Sequence, residues 1–170
     1  ARDADNNFNL HGEGQRITIT DTGLDVGIIS TLMHDDFEGR ISGFKNYKGT
    51  SPDDLQGHGT HVAGIALGNG KLSGSNPFTH QYDGSYAGVA PEATVYVQAI
   101  SSDDPFDPFV YPPSEFVTLQ DSYASGVRIH SHSYGFSLPS TFGTYTGSTT
   151  QVDDHIWRFK DYVAIYAAGN

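Results

Sequence analysis

Three short segments of the sequence combine side chains suited to acid–base chemistry with the small residues needed to position them. Residues 57–64 read Gly-His-Gly-Thr-His-Val-Ala-Gly, so His58 lies between two glycines at the start of an apolar run. Asp21 follows a β-branched run and precedes Thr-Gly, and Asn170 follows Ala-Ala-Gly. An imidazole transfers protons near neutral pH, a carboxylate can orient it, and an amide can donate to an oxygen. Taken singly, Asp21 and Asn170 also fit ordinary Asx and Gly-Asn turns.

A metal centre is the alternative interpretation of the histidine segment. His58 and His61 are three residues apart and share a helix face if the segment is helical. Zinc proteases usually place their two histidines four residues apart with a glutamate between them. Here the intervening residues are Gly and Thr. The absence of an acidic residue between them therefore argues against a metal-dependent hydrolase that uses these two histidines.

The elements that position these residues alternate along the chain. Strands are predicted over residues 17–21, 41–44, 94–100, 127–133 and 163–168. Helices are predicted over residues 58–67, between an N-cap at Ser114 and Gly126, and around residues 152–159. Residues 68–88 and 135–149, rich in Gly and Ser, are predicted to be surface loops. This order indicates an α/β fold, a parallel β-sheet with helices on both faces, in which ligands gather at the carboxyl ends of the strands.

Composition excludes several classes of function. The 170 residues suit one domain, and the formal net charge of −11 argues against nucleic acid or an anionic membrane surface as a partner. No stretch approaches the ~20 apolar residues of a membrane span. The chain has no cysteine, which excludes disulfides, thiolate catalysis and cysteine-ligated metal sites.

In the order Asp, His, Asn, the three segments resemble the subtilisin-like serine proteases, or subtilases. Asp21 resembles the catalytic aspartate of that family, His58 its catalytic histidine, and Asn170 its oxyanion-hole asparagine. The resemblance covers roughly residues 15–170. In segments 33–41 and 127–135 the chain looks most like the larger alkaline bacterial subtilases that carry an extra β-barrel domain.

The resemblance implies a role for each of these residues and a way to bind a polypeptide substrate. His58 would be the general base for a serine, Asp21 would fix its tautomer, and Asn170 would donate to the oxyanion. The substrate would lie as an added strand between two chain edges. The implied substrate-binding residues of the edges and of the primary pocket are Ser101, Ser102, Ser133, Tyr134, Gly135, Ala167, Ala168 and Gly169.

The resemblance also implies a nucleophilic serine C-terminal to the asparagine, in a Gly-Thr-Ser-Met-Ala-like motif that these residues do not contain. The Gly-Thr-Ser at residues 49–51 precedes His58 and leads into Pro-Asp-Asp, and Ser133 lacks the upstream glycine of a nucleophile elbow. Residues 1–170 are therefore interpreted as the N-terminal portion of a catalytic domain. The partner would be a serine-bearing C-terminal chain or segment of the same protease.

The alternative is a non-catalytic subtilase-like fragment that acts as a binding or assembly module. The presence of Asp21, His58 and Asn170 together favours the enzyme, because a binding module has no need of them. The resemblance further implies secretion, a propeptide or protein inhibitor as a partner, and structural Ca²⁺ without a catalytic cofactor. No calcium ligands are assigned from the sequence.

Overall fold

Five parallel strands form the centre of the molecule, whose computed structural model describes residues 10–107, 110–135 and 142–169. The strand order across the sheet is β2-β3-β1-β4-β5. Helices lie on both of its faces, so the predicted α/β class is confirmed. The strands are β1 (Arg16–Asp21), β2 (Ile41–Asn46), β3 (Thr94–Ala99), β4 (Ile129–His132) and β5 (Val163–Tyr166), and the helices are α1 (His58–Leu67), α2 (Glu115–Ala124) and α3 (Gly147–Arg158).

One face of the sheet is apolar and packs against α1. Strand side chains alternate between faces, so Ile19 of β1 lies on the same side as Val95 and Val97 of β3, with which β1 pairs in register. Ala63 and Leu67 of α1 are completely buried in the same cluster. Burial of this apolar surface fixes the start of α1 relative to the end of β1, which is where the predicted site lies.

The opposite face of the sheet is polar and packs against α2. The Thr18 hydroxyl lies 2.7 Å from the Ser122 hydroxyl, and both side chains are fully buried. Buried polar groups are stable only when they are hydrogen-bonded, so this face depends on specific partners more than on apolar area. Helix α3 lies beside α2, and its buried His155 packs against Tyr162 with ring centroids 4.9 Å apart.

The ends of several elements differ from the prediction for identifiable reasons. The strand predicted over residues 127–133 is limited to Ile129–His132, because the Val127 N–H donates to the Ser122 carbonyl and closes the end of α2. Helix α3 begins at Gly147, inside the predicted loop, because Thr146 and Thr149 cap each other reciprocally. The loop 68–88 contains two short 3₁₀ turns and buries Tyr82, so it is not wholly a surface loop.

The parallel arrangement brings the carboxyl ends of the strands to one edge of the sheet. Asp21 ends β1, His132 ends β4 and Tyr166 ends β5. Every residue that the sequence predicts for catalysis or substrate binding, apart from Asn170, which is not among the described residues, follows or ends one of these strands or begins α1. Within the described part of the chain, no helix has both the length and the apolar character needed to cross a membrane.

Candidate active site

Asp21 and His58 meet at this edge of the sheet. The Oδ1 atom of Asp21 lies 2.7 Å from Nδ1 of His58, a charge-assisted hydrogen bond between residues 37 positions apart in the chain. The Asp21 side chain is 2% exposed, whereas that of His58 is 54% exposed. An ionised carboxylate can only accept, so Nδ1 carries the proton and Nε2 carries the lone pair. His58 is therefore held in the tautomer that a general base requires.

Burial controls the electrostatics of Asp21. Desolvation raises the pKa of its carboxyl, and hydrogen bonds from His58 and from the Thr22 N–H oppose that rise. The second carboxylate oxygen, Oδ2, has no hydrogen-bond partner among the described residues. A poorly solvated carboxylate gains most from a positive charge beside it, so Asp21 is placed to stabilise the imidazolium that forms when His58 takes up a proton.

A second aspartate, which sequence reasoning missed, holds the segments of Asp21 and His58 together. Asp54 accepts hydrogen bonds from the Thr22 hydroxyl at 2.7 Å, the Gly57 N–H at 2.9 Å and the Thr60 hydroxyl at 2.6 Å. The Gly59 N–H in turn donates to the Thr22 hydroxyl oxygen at 2.8 Å. Burial disfavours the charged form of Asp54, but these hydrogen bonds outweigh it and lower the pKa of the carboxyl. Asp54 therefore joins the turn after β1 to the first turn of α1.

The two positions beside His58 require glycine for different structural reasons. Gly57 has φ +83°, a left-handed conformation that a glycine adopts without strain, and it caps the start of α1. A Cβ atom on Gly59 would lie 2.3 Å from the Gly23 carbonyl oxygen. Gly59 thus permits α1 to approach the Asp-Thr-Gly turn closely enough for His58 to reach Asp21.

The segments predicted to form the primary pocket lie side by side. Strands β4 and β5 are parallel neighbours, and the Ala167 N–H donates to the His132 carbonyl at 3.0 Å just before Ser133. A cavity of about 620 Å³ opens beside them and includes Tyr134, Gly135 and Ala167 in its lining. Ser133, Ala168 and Gly169 continue the same two segments at the carboxyl edge, and Gly169 adopts φ +102°.

Ser101 and Ser102 follow β3 at the same edge, but their hydroxyls serve the chain itself. The Ser101 hydroxyl donates to the Thr22 carbonyl at 2.6 Å and is buried beneath the Asp-Thr-Gly turn that follows β1. The Ser102 hydroxyl donates to the Asp107 carboxylate at 2.8 Å. Their side chains support the turn and the following loop. A substrate strand at this edge, as predicted, would therefore have to pair with their backbone groups.

Asn170, the predicted oxyanion donor, lies outside the described residues, so its role stays a prediction. The metal alternative receives no support from the geometry of the histidines. His58 directs Nδ1 to Asp21, and among the described residues neither His58 nor His61 belongs to a group of three or more potential ligands. The described site therefore contains an oriented and accessible base, which can withdraw a proton from a hydroxyl placed beside Nε2.

Comparison with known proteins identifies the family of this arrangement. Residues 12–170 match the family model described as the subtilase family. The chain is 29% identical over 175 residues to a serine protease/ABC transporter B family protein, tagD, of Dictyostelium discoideum, with 95% of this chain and 9% of that protein aligned. It is 37% identical over 92 residues to the serine protease AprX of Bacillus subtilis, covering 53% of this chain and 17% of that protein.

A solved structure shows the same fold. The S41 psychrophilic protease superposes with a TM-score of 0.61 and 26% sequence identity, and the match covers 94% of this chain and 47% of that one. The chain therefore spans about half the length of this solved protease and less than a fifth of the two curated relatives above.

Proposed function

Because this chain belongs to the subtilase family, we propose that it supplies the Asp–His part of an Asp-His-Ser triad in a secreted endopeptidase that hydrolyses polypeptides. The single observation that carries the proposal is the 2.7 Å contact between Asp21 Oδ1 and His58 Nδ1. The nearly complete burial of the carboxylate and the half exposure of the imidazole support it, because a base must be oriented on one side and accessible on the other.

In the proposed reaction, Nε2 of His58 takes the proton of a serine hydroxyl while that oxygen attacks the scissile carbonyl. Asp21 stabilises the imidazolium, and the Asn170 amide donates to the oxyanion. The imidazolium then returns its proton to the leaving amine. The C–N bond breaks as the amine leaves, and the serine oxygen keeps the acyl group. Water, deprotonated by His58, then attacks this acyl-enzyme, releases the second product and restores the serine.

The serine is proposed to come from a segment outside these 170 residues, which also packs against the sheet. Support comes from β5, where Val163 and Ile165 are 53% and 51% exposed although parallel strands are normally covered on both faces. Their register with Ile129 and Ser131 places them on the same face as α1. Such a segment covers this apolar surface and carries the nucleophile to the carboxyl edge beside His58.

Several further properties are proposed from family membership. A propeptide or protein inhibitor would occupy the substrate edges, because either one presents a polypeptide strand to the same surface. Structural Ca²⁺ would be held by loop oxygens, for which we assign no ligands.

The test is peptide hydrolysis by the full-length protein and three variants. We expect His58→Ala to lower kcat by about 10⁶-fold and Asp21→Asn by about 10⁴-fold, the losses typical of such triads. His61→Ala is the matched control, because His61 is an exposed histidine on the next turn of α1, and it is expected to retain activity. A serine-directed reagent should abolish hydrolysis.

Two outcomes would point to the alternative functions. Hydrolysis that survives the serine reagent but is lost in His61→Ala would favour a metal-dependent hydrolase. If the wild-type protein binds a polypeptide but neither it nor any variant hydrolyses it, a binding or assembly module is favoured.

A further inference from the structure

We propose that His11, Glu13, His80 and Glu92 form a binding site for a first-row transition-metal dication, Zn²⁺ in particular, at the amino-terminal edge of the sheet. Each residue offers one ligand atom, and the four atoms lie within 4.8 Å of one another. The proposal does not rest on the proposed peptidase activity, because none of the four residues touches Asp21 or His58.

The distances within this His–Glu cluster are close to those of a metal centre. Oε1 of Glu92 lies 3.6 Å from Nδ1 of His11 and 2.5 Å from Nδ1 of His80, and Oε1 of Glu13 lies 3.7 Å from the same His80 nitrogen. Ligands of a tetrahedral zinc ion, with bonds of about 2.0–2.1 Å, are roughly 3.3 Å apart. The His80–Glu92 hydrogen bond would open as the metal displaces its proton. Glu13 and His80 can make this adjustment because their side chains are about half exposed.

A buried and unpaired nitrogen of His11 is a second, independent indication that a cation binds here. Its side chain is 4% exposed, and Nδ1 is buried without a hydrogen-bond partner among the described residues. That atom faces the Glu92 carboxylate at a distance too long for a hydrogen bond. Leaving a buried polar atom unpaired is costly, and a bound cation between Nδ1 and Oε1 would remove the cost.

The chemistry of the four donors selects the class of metal. Two imidazoles suit zinc, copper, nickel and iron, whereas calcium and magnesium take oxygen ligands. Two carboxylates balance the charge of one dication. The Tyr82 hydroxyl donates to Glu92 Oε1 at 2.7 Å, an outer contact of the kind that orients metal-binding side chains.

The fold explains why these residues converge and what the metal would do. His11 and Glu13 precede β1, Glu92 precedes the neighbouring strand β3, and His80 projects from the loop 68–88. The Glu92 N–H donates to the His11 carbonyl at 2.9 Å, which already ties the two strand entries together. Asp21 is the last residue of β1, so the length of that strand, at about 3.3 Å per residue, separates this cluster from it. The metal would thus fasten the N-terminal segment and the loop to the sheet, without entering the reaction.

The test is Zn²⁺ binding by the full-length protein in a His58→Ala background, which prevents autolysis and removes the catalytic imidazole as a competing ligand. Equilibrium dialysis against Zn²⁺ should give a high-affinity site at this cluster, and Co²⁺ in its place should give the visible absorption of a four-coordinate centre. Glu13→Gln and His80→Ala change half-exposed side chains, so they test the ligands without opening the core. Each is expected to weaken Zn²⁺ binding at the site at least about tenfold.

His34→Ala is the matched control, since it removes an exposed histidine from another loop, and it should leave Zn²⁺ affinity unchanged. Zn²⁺ should raise the thermal midpoint of the His58→Ala protein, and it should raise that of the Glu13→Gln variant in the same background by less. Absence of a saturable site, or equal affinity in Glu13→Gln and His80→Ala, would overturn the proposal. Displacement of Zn²⁺ by an equal concentration of Ca²⁺ would overturn the assignment of the metal class.

Discussion

A single added atom at Gly59 would decide whether His58 is aligned with Asp21. His58 reaches Asp21 only because α1 approaches the Asp-Thr-Gly turn closely, and Gly59 is the point of contact. A Cβ there would meet backbone oxygen, which cannot move aside as a flexible side chain can. The hydrogen bonds that converge on Asp54 also hold these two segments together.

Gly59→Ala is accordingly expected to impair both folding and catalysis. Relief of the clash shifts α1, so we expect a loss of about 1–3 kcal/mol in the free energy of unfolding and a fall in kcat larger than any change in KM. Gly64→Ala is the matched control in the same helix, because a Cβ there meets nothing within 4 Å. It should be neutral or stabilising by up to about 1 kcal/mol. Equal behaviour of the two variants in urea denaturation and steady-state kinetics would contradict this account.

The sequence was enough to single out Asp21 and His58, because each lies in a segment with distinctive neighbours. It was not enough for Asp54, which stands among turn residues and looks like any solvated acid. Its importance arises from contacts with Thr22 and Thr60, and no local pattern encodes the first of these. Side chains that act through distant partners become visible only in the folded chain.

Among the elements, β4 has the least usual composition, since it buries two histidines on the polar face of the sheet. The Tyr162 hydroxyl lies 2.7 Å from His130 Nδ1, and His130 Nε2 lies 2.5 Å from the Thr20 hydroxyl. Thr20 donates to the Gln98 side-chain oxygen, and Gln98 donates to the Thr118 carbonyl. Because Thr20 donates onward, Nε2 of His130 carries the proton and Nδ1 accepts from Tyr162. With His130 neutral, every member of this chain of side chains has a hydrogen-bond partner.

This arrangement predicts a loss of stability in acid. Burial lowers the pKa of His130 well below its usual range and lowers that of His132 to about 3. Unfolded histidines take up protons near pH 6.5, so below that pH the unfolded chain binds more protons and the free energy of unfolding falls as the pH falls. Each histidine that is protonated only in the unfolded chain lowers the free energy of unfolding by about 1.4 kcal/mol for each unit by which the pH falls.

His132→Gln isolates one of these contributions. Burial raises the carboxyl pKa of Glu115, so the folded chain holds that proton more readily than the unfolded chain, which opposes the effect of the histidines. The variant is therefore compared with its parent. Urea denaturation in a His58→Ala background, between about pH 4 and pH 6, measures how steeply the free energy of unfolding depends on pH. We expect the His132→Gln slope to be smaller by about 1.4 kcal/mol per pH unit. An unchanged slope would show that His132 is protonated in the native state.

Element types were predictable from periodicity, because β-branched runs and small apolar helix faces persist over several residues. Element ends were not, because they depend on single hydrogen bonds such as the one from Val127 to Ser122. The polar face was also missed, since His130 and His132 of β4 carry no apolar signal. Their burial follows from α2 and Tyr162, which pack against them from elsewhere in the chain.

At the scale of the whole molecule, the two edges of the parallel sheet gather separate groups of side chains. The carboxyl edge collects Asp21, His58 and the segments beside the 620 Å³ cavity. The amino edge collects the His–Glu cluster, whose members range from His11 to Glu92. Sequence reasoning found the first group through its motifs. It could not find the second, because four isolated residues without fixed spacing are brought together only by strand pairing and the loop 68–88.

The most direct test of the central claim is fluorophosphonate labelling of the full-length protein, followed by denaturing mass spectrometry and peptide mapping. The account predicts one labelled serine outside residues 1–170 and loss of labelling in His58→Ala, because the Asp21–His58 pair activates that serine. Equal labelling of His58→Ala and wild type, or a wild-type protein with no labelled serine, would contradict it.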